Sequence, residues 1–311
     1  MHMGAVLFCS NLDDPEEWRP PMTRLMPDLD LRVYPNFGKA EDIDVAMVWR
    51  PPAEGLGQFK NLKAILSLGA GVDQLDLTQL PAHVPVARLV DDVLTTAMAE
   101  YCLLAALRYH RRFDLYETNA RLKKWEYHIP RPAAQRTVGI LGLGVLGAAT
   151  AAKLKMNGFQ VVGWSRSPKA IPGVESFSGP DGIYRMAAKA EIVVCLLPLT
   201  PNTRGILNKK LFDAMPRGSY LVNVGRGGHL NEGDLLPALK SGQLAGATLD
   251  VFQKEPLPPD HPFWNQPGLL ITPHCASTGG AETAAPQVVE NIRRARAGKP
   301  LLNQVDKTKG Y

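Results

Sequence analysis

The sequence predicts an α/β protein made of two doubly wound parallel-sheet domains. Short apolar runs, rich in leucine and β-branched residues, recur along the chain with spacers long enough for helices. That pattern marks strands buried on both faces of a parallel sheet. The runs fall into two sets, separated by one long stretch of helical periodicity from Leu94 to Trp125. A chain of 311 residues is long enough to give each set its own core.

The first set of strands is "AVLFCS" from Ala5, "LRVYP" from Leu31, "VAMVW" from Val45, "LKAILSLG" from Leu62 and "VPVARLV" from Val84. The spacers between them can hold helices, which makes this an α/β lobe. The stretch from Leu94 to Trp125 reads as one long helix with a break near Phe113, and "EYHIPRPAAQR" after it reads as a linker. The second set has six strands: "TVGILGLG" from Thr137, "FQVVGWS" from Phe159, "IVVCLLPL" from Ile192, "YLVNVG" from Tyr220, "GATLDVF" from Gly246 and "LLITPH" from Leu269. A helix is expected from Glu232 to Leu244, and "TGGAETAAPQVVENIRRARAG" reads as another after His274. Six strands with interleaved helices make a lobe of the size that holds a dinucleotide.

Composition narrows the function classes. The net charge of +5 comes without a block of like charge, which argues against nucleic acid and suits a small anionic ligand. No apolar stretch approaches the length of a membrane span, and the run Ala5 to Cys9 is too short for a secretory signal. Cys9, Cys102, Cys195 and Cys275 lie far apart, so free thiols in a reducing, cytoplasmic setting are expected. No His or Cys pair has ligand spacing, so no metal site is expected.

The first chemical motif is Gly142-x-Gly144-x-x-Gly147, lying between a strand and an alanine-rich helix that ends at Gly158. Alone the pattern is weak, but here the whole strand–turn–helix–strand unit surrounds it. Gly142 allows the tight turn, Gly144 lets backbone approach a pyrophosphate, and Gly147 lets helix pack on strand. The helix N-terminus attracts the anion. The bland alternative is a glycine turn that serves packing alone.

The second strand ends 18 residues after Gly147, at Ser165, Arg166 and Ser167, with Lys169 close behind. An acid at this point bonds both ribose hydroxyls and repels a 2′-phosphate. This chain offers hydroxyls and a guanidinium instead, and a guanidinium grips phosphate with charge-assisted bonds. NADP(H) is therefore preferred over NAD(H), which stays open as the weaker alternative, with Arg166 then a solvated loop residue.

Three later strands each lead into unusual polar residues. Arg226 follows "YLVNVG", Asp250 lies in the strand "GATLDVF" with Glu255 soon after it, and His274 follows "LLITP". Ligands of open α/β sheets bind beyond the carboxyl ends of the strands. Taken singly, His274 reads as a core histidine, Glu255 as a loop acid and Arg226 as a surface cation.

Together, Arg226, Glu255 and His274 downstream of the glycine turn resemble the D-isomer-specific 2-hydroxyacid dehydrogenase family over nearly the whole chain. "LPLTPNTRGILN" belongs to the same likeness, and "VWRPP", "SLGAGVDQL" and the terminal Gly310-Tyr311 are most like its glyoxylate/hydroxypyruvate reductase A branch. The resemblance implies a Rossmann cofactor domain and a flavodoxin-like substrate domain. Their expected bounds are 92–274 for the first, and 1–91 with 275–311 for the second, with a cleft between them.

The resemblance further implies an NADPH-dependent reduction of a small 2-oxo acid. His274 would be the proton donor, Glu255 its orienting carboxylate, and Arg226 the partner of the substrate carboxylate and carbonyl. A cofactor set of Gly142, Gly144, Val145, Leu146, Gly147, Ser165, Arg166, Ser167, Leu197, Pro198, Thr203, Val224, Gly225 and Asp250 is implied, with Asp250 near the nicotinamide carboxamide. Met98, beside Thr95 and Thr96, resembles a residue flanking the nicotinamide, although Met on a helix is more often packing. Ala70 and Gly71 resemble a backbone-amide cradle for the substrate carboxylate, or else a plain turn. Trp49, beside Arg50, lines the pocket or belongs to the core. A homodimer is also implied, and the apolar helix from Leu94 is compatible with one. Phosphoglycerate dehydrogenase, many members of which carry a regulatory extension, is the nearer enzymatic alternative. Formate dehydrogenases are disfavoured because a neutral Gln stands there where Glu255 does here. A dinucleotide-sensing corepressor is the alternative from another class.

Overall fold

Two sheets of five and seven strands form, and every pairing between named strands is parallel. The structure is a computed structural model that describes residues 4–51, 55–77, 80–277 and 279–308. Pro52, Thr278, Gly310 and Tyr311, which belong to segments singled out above, lie outside the described residues. In chain order the strands and α-helices are β1 (Ala5–Ser10), α1 (Pro15–Leu25), β2 (Leu31–Val33), β3 (Ile43–Trp49), β4 (Ala64–Ser67), β5 (Val86–Ala87), α2 (Asp92–His110), α3 (Phe113–Arg121), β6 (Thr137–Leu141), α4 (Val145–Met156), β7 (Gln160–Ser165), β8 (Glu175–Ser178), α5 (Gly182–Ala187), β9 (Ile192–Cys195), α6 (Lys209–Ala214), β10 (Ser219–Asn223), α7 (Glu232–Ser241), β11 (Leu244–Leu249), β12 (Leu269–Ile271) and α8 (Ala281–Arg296). The chain divides into two compact units, Met1–Leu94 with Gly279–Tyr311, and Thr95–Thr278; one division falls inside α2.

The first unit holds the five-stranded sheet in the order β2-β1-β3-β4-β5, the flavodoxin-like order. Alternate residues of its strands feed two opposite cores. Val6, Phe8, Val45 and Met47 meet Trp18 and Met22 of α1 and Val288 and Ile292 of α8. On the other face Leu7, Ala46, Val48 and Ile65 are covered by Leu56, Phe59, Leu62, Val72 and Leu75. Those covering residues sit on loops, so the described parts of the spacers after β3 and β4 hold no helix, although spacers of this length can hold one. Pro51, Gly55 and Gly57 punctuate the first of these spacers and stop helical propagation. Helix α8 is pinned to β3 by Arg296, whose Nε and Nη2 each donate to buried Asp44 at 3.0 Å.

The second unit holds the seven-stranded sheet in the order β12-β11-β10-β9-β6-β7-β8. Strand order reverses between β6 and β9, the switch point at which such sheets bind ligands. The sequence predicts six strands here; the seventh, β8, is the polar edge strand Glu175–Ser178, which has no apolar run to announce it. Helix α2 buries Met98, Cys102, Ala105, Ala106 and Tyr109 against Val138, Ile140 and Val222. Arg112, in the left-handed region at φ 60°, breaks α2 from α3 where the break near Phe113 is expected. Helix α7 stops at Ser241 because Gly242 caps it at φ 72°; Leu244, expected as its last residue, instead starts β11.

Candidate active site

The glycine turn sits at the switch point. Gly142 has φ 103°, and a Cβ placed on it would lie 2.8 Å from the Leu196 carbonyl oxygen. The chain ends of β6 and β9 therefore approach each other only because residue 142 has no side chain. A Cβ on Gly147 would lie 1.9 Å from the Gly142 carbonyl oxygen, so this glycine lets α4 close onto its own turn. Gly144, the N-cap of α4, faces open space instead. The turn thus presents a bare backbone cradle at a helix N-terminus, which fits a dinucleotide pyrophosphate. Val145 at the first helical position is half exposed, and Leu146 is partly buried behind it.

Ser165 is the last residue of β7 and is buried; Arg166, Ser167 and Lys169 follow on an exposed loop. The Ser165 hydroxyl donates to the Ser167 carbonyl at 2.7 Å. Its proton is spent inside the loop, so its oxygen remains as an acceptor. Beyond β9, Leu197 is buried and Pro198 exposed. Thr203 shapes this loop by donating to the Pro198 carbonyl at 2.7 Å and accepting the Thr200 N–H at 2.8 Å.

The loop after β10 carries Val224, Gly225 and Arg226. A Cβ on Gly227 would lie 1.9 Å from the Phe252 carbonyl carbon, so this loop is packed directly on the chain that follows β11. The buried Asn223 side chain braces it, donating to the Arg226 carbonyl at 3.1 Å and accepting the Gly225 N–H at 3.3 Å. The Arg226 N–H donates to Nδ1 of the fully buried His229 at 3.0 Å, and its guanidinium donates to the Gly225 carbonyl at 2.8 Å.

Glu255 and His274 meet. His274 Nδ1 lies 2.9 Å from Glu255 Oε2, while Oε1 accepts the Phe252 N–H at 3.0 Å. A carboxylate can only accept here, so Nδ1 carries a proton toward it and Nε2 is left to exchange one. Asp250 lies just past the end of β11 rather than within it. It is 1% exposed, and its oxygens accept the Thr272 hydroxyl at 2.6 Å and the Cys275 and Ala276 N–H groups at 2.9 Å each. Asp250 thus grips the turn that carries His274. Sequence reasoning missed Asn223, His229, Thr272 and Tyr101, although the first three stand within three positions of Arg226 or His274. Met98 is buried in the core of this unit.

The remaining candidates belong to the first unit. Trp49 ends β3, and its ring lies so close over Gly69 that a Cβ there would sit 2.3 Å from it. Ala70 and Gly71 follow on a loop held by Ser67, whose hydroxyl donates to the Gly71 carbonyl at 3.0 Å. The Arg88 guanidinium lies 3.4 Å from the Ala70 carbonyl.

Residues 103–276 match the family model described as the NAD binding domain of D-isomer specific 2-hydroxyacid dehydrogenase. The chain belongs to this family. Over its full length the family likeness holds at substantial identity. A glyoxylate/hydroxypyruvate reductase A of Serratia proteamaculans is 43% identical, with 98% of this chain and 99% of the relative covered. Among solved structures, a family member from Xanthobacter autotrophicus in complex with NADPH and MES superposes with a TM-score of 0.95 at 45% identity, covering 99% of this chain and 100% of that one. An NADPH-dependent glyoxylate/hydroxypyruvate reductase from Sinorhizobium meliloti, in complex with NADP and sulfate, superposes with a TM-score of 0.92 at 38% identity, covering 99% and 100%.

Proposed function

We propose that this protein is an NADPH-dependent reductase of short 2-oxo acids, converting glyoxylate to glycolate and hydroxypyruvate to D-glycerate. The observation that carries the reading is the His274–Glu255 pair beyond the carboxyl edge of the sheet that also bears the glycine cradle. The relatives described above, named as reductases of these two acids, support the substrate class.

In this reading the cradle of Gly142, Gly144 and Gly147 holds the pyrophosphate, with Val145, Leu146, Leu197, Pro198, Thr203, Val224 and Gly225 around it. When bound, the cofactor supplies the hydride that reduces the C2 carbonyl. His274 Nε2 delivers the proton to the carbonyl oxygen, and Glu255 holds the ring through Nδ1 so that Nε2 points one way. Arg226 pairs with the substrate carboxylate and polarises the carbonyl. Ala70 and Gly71 are assigned amide contacts to that carboxylate, and Trp49 a lining role. Arg166, with Ser167, is assigned the 2′-phosphate, since no acid ends β7; Ser165, whose proton goes to the Ser167 carbonyl, is left to shape the loop rather than to donate to the phosphate.

We assign cofactor binding to the unit Thr95–Thr278 and substrate discrimination to the other unit. A homodimer is part of the proposal, but its support shifts. The apolar residues of α2 are largely spent inside the protein's own core, whereas Phe113, Leu122, Trp125 and Ile129 are exposed. A cytoplasmic setting is supported by four free cysteines, and among the described residues no helix is long and apolar enough to cross a membrane.

The test is NADPH oxidation with glyoxylate and with hydroxypyruvate, set against NADH. Turnover of both acids with NADPH preferred is expected. Tight NADPH binding without turnover would replace this reading with that of a dinucleotide sensor.

A further inference from the structure

The backbone of His274 is unusual. It is a non-glycine residue at φ 55°, a conformation that persists only where the surroundings over-determine it. Asp250 supplies much of that determination. Its backbone carbonyl accepts the His274 N–H at 2.8 Å, and its carboxylate accepts the next two N–H groups of the turn. The orientation of this carboxylate therefore helps to set the backbone turn from which the His274 ring projects, and Glu255 then holds the ring through Nδ1.

A third donor fixes that orientation. Thr272 Oγ1 donates to Asp250 Oδ1 at 2.6 Å, and Tyr101 Oη lies 2.5 Å from the same Thr272 oxygen. A threonine hydroxyl has one proton, and here it goes to the carboxylate. Tyr101 must therefore be the donor to Thr272. The chain runs one way, from phenol to hydroxyl to buried carboxylate. Burial, followed by the nearby Asp250 charge, pushes the Tyr101 phenol well above its ordinary range, so it keeps the proton that this direction requires.

We propose that Tyr101 and Thr272 are positioning residues for His274, acting through Asp250. Tyr101 stands on α2 and Thr272 directly after β12, so the chain ties the His274 turn to a helix packed in the unit's core. The proposal rests on His274 being the proton donor, and neither Tyr101 nor Thr272 is among the residues assigned to substrate or cofactor.

The test compares Tyr101→Phe, Thr272→Val and Thr272→Ser in the full chain. The measurements are kcat and KM for glyoxylate in water and in deuterium oxide, NADPH affinity by fluorescence, and the proton NMR signal of the His274 Nδ1–H. Tyr101→Phe and Thr272→Val should lower kcat by about 10–100-fold while KM and NADPH affinity stay within about threefold, the pattern of a displaced reacting group. Their solvent isotope effect on kcat should rise, because a misaligned donor makes proton transfer slower. A mere loss of folded protein would leave that ratio unchanged. Thr272→Ser, which keeps the hydroxyl, should restore most of the rate. The downfield Nδ1–H signal should broaden or shift in the first two variants only. Near-wild-type kcat with an unchanged isotope effect in Tyr101→Phe would overturn the proposal, as would a loss that Thr272→Ser shares in full. If Thr272→Val fails to fold, Tyr101→Phe, which removes a single oxygen, decides. If the wild type turns over neither acid, the proposed function falls by itself. The Nδ1–H signal then judges the positioning role, and an unchanged signal in Tyr101→Phe overturns it.

Discussion

Three side chains carry predictions of their own. His274→Ala removes the proposed proton donor, so turnover should fall to a small residue while NADPH still binds; steady-state rates beside a fluorescence titration check this. Activity near wild type would mean the donor is another group. Arg166→Ala should weaken NADPH by about 1.5–3 kcal/mol, the usual size of a charge-assisted contact, and leave NADH nearly unchanged. Equal losses for both cofactors would point to damage to the fold. Cys275 is the exposed thiol of the four, and partial burial, followed by the neighbouring Asp250 carboxylate, raises its pKa. The thiolate reacts, so alkylation of Cys275 should be slow at neutral pH and accelerate only as pH climbs above the ordinary thiol range. Mass-spectrometric labelling rates against pH measure this, and an inflection at or below that range would contradict it. At this scale the sequence names residue types well. Arg226, Glu255 and His274 each stand at a recognisable place after a strand. What it does not reveal is which of their neighbours are spent on one another, as the Ser165 hydroxyl is on Ser167.

Among the elements, the glycine turn makes the sharpest demand. A side chain at position 147 meets the Gly142 carbonyl at 1.9 Å, and a backbone atom cannot move aside as a flexible side chain can. Gly147→Ala should cost about 3 kcal/mol, the upper end of overpacking costs, and weaken both NADPH and NADH. Thermal melts with cofactor titrations would detect this; full stability with normal affinity would show that the turn relaxes freely. Element types were mostly legible because strand and helix periods are short-range properties. Each exception has its own physical cause. Strand β8 lies at the sheet edge with alternating polar residues, so no buried run marks it. The loops that cover one face of the five-stranded sheet bury Leu56, Phe59 and Leu62 without helical geometry, because proline and glycine interrupt the chain there. The apolar run around Asp250 continues to Phe252 and so reads as strand, whereas the ladder ends at Leu249.

For the whole molecule, the exposed aromatic and aliphatic residues after α2 predict association. Trp125 is 101% exposed and Ile129 83% exposed, an arrangement that a partner surface would relieve. Light scattering at micromolar concentration should give a dimer for the wild type, and Trp125→Glu should shift it toward monomer with little change in the thermal melt. A wild-type monomer would remove the proposal. The sequence by itself determined the two-sheet α/β class, the glycine turn, the lack of an acid at the end of β7 and the places of Arg226, Glu255 and His274 after their strands. Each of these is written in local spacing, where a few neighbouring residues dictate a turn, a period or a strand end. Tertiary structure alone decided how His274 is held. Asp250 meets the Cys275 and Ala276 amides from 25 and 26 positions away, and Tyr101 meets Thr272 across 171. No local pattern encodes such contacts, because they exist only once the sheet has brought its strand ends together and α2 has packed against them.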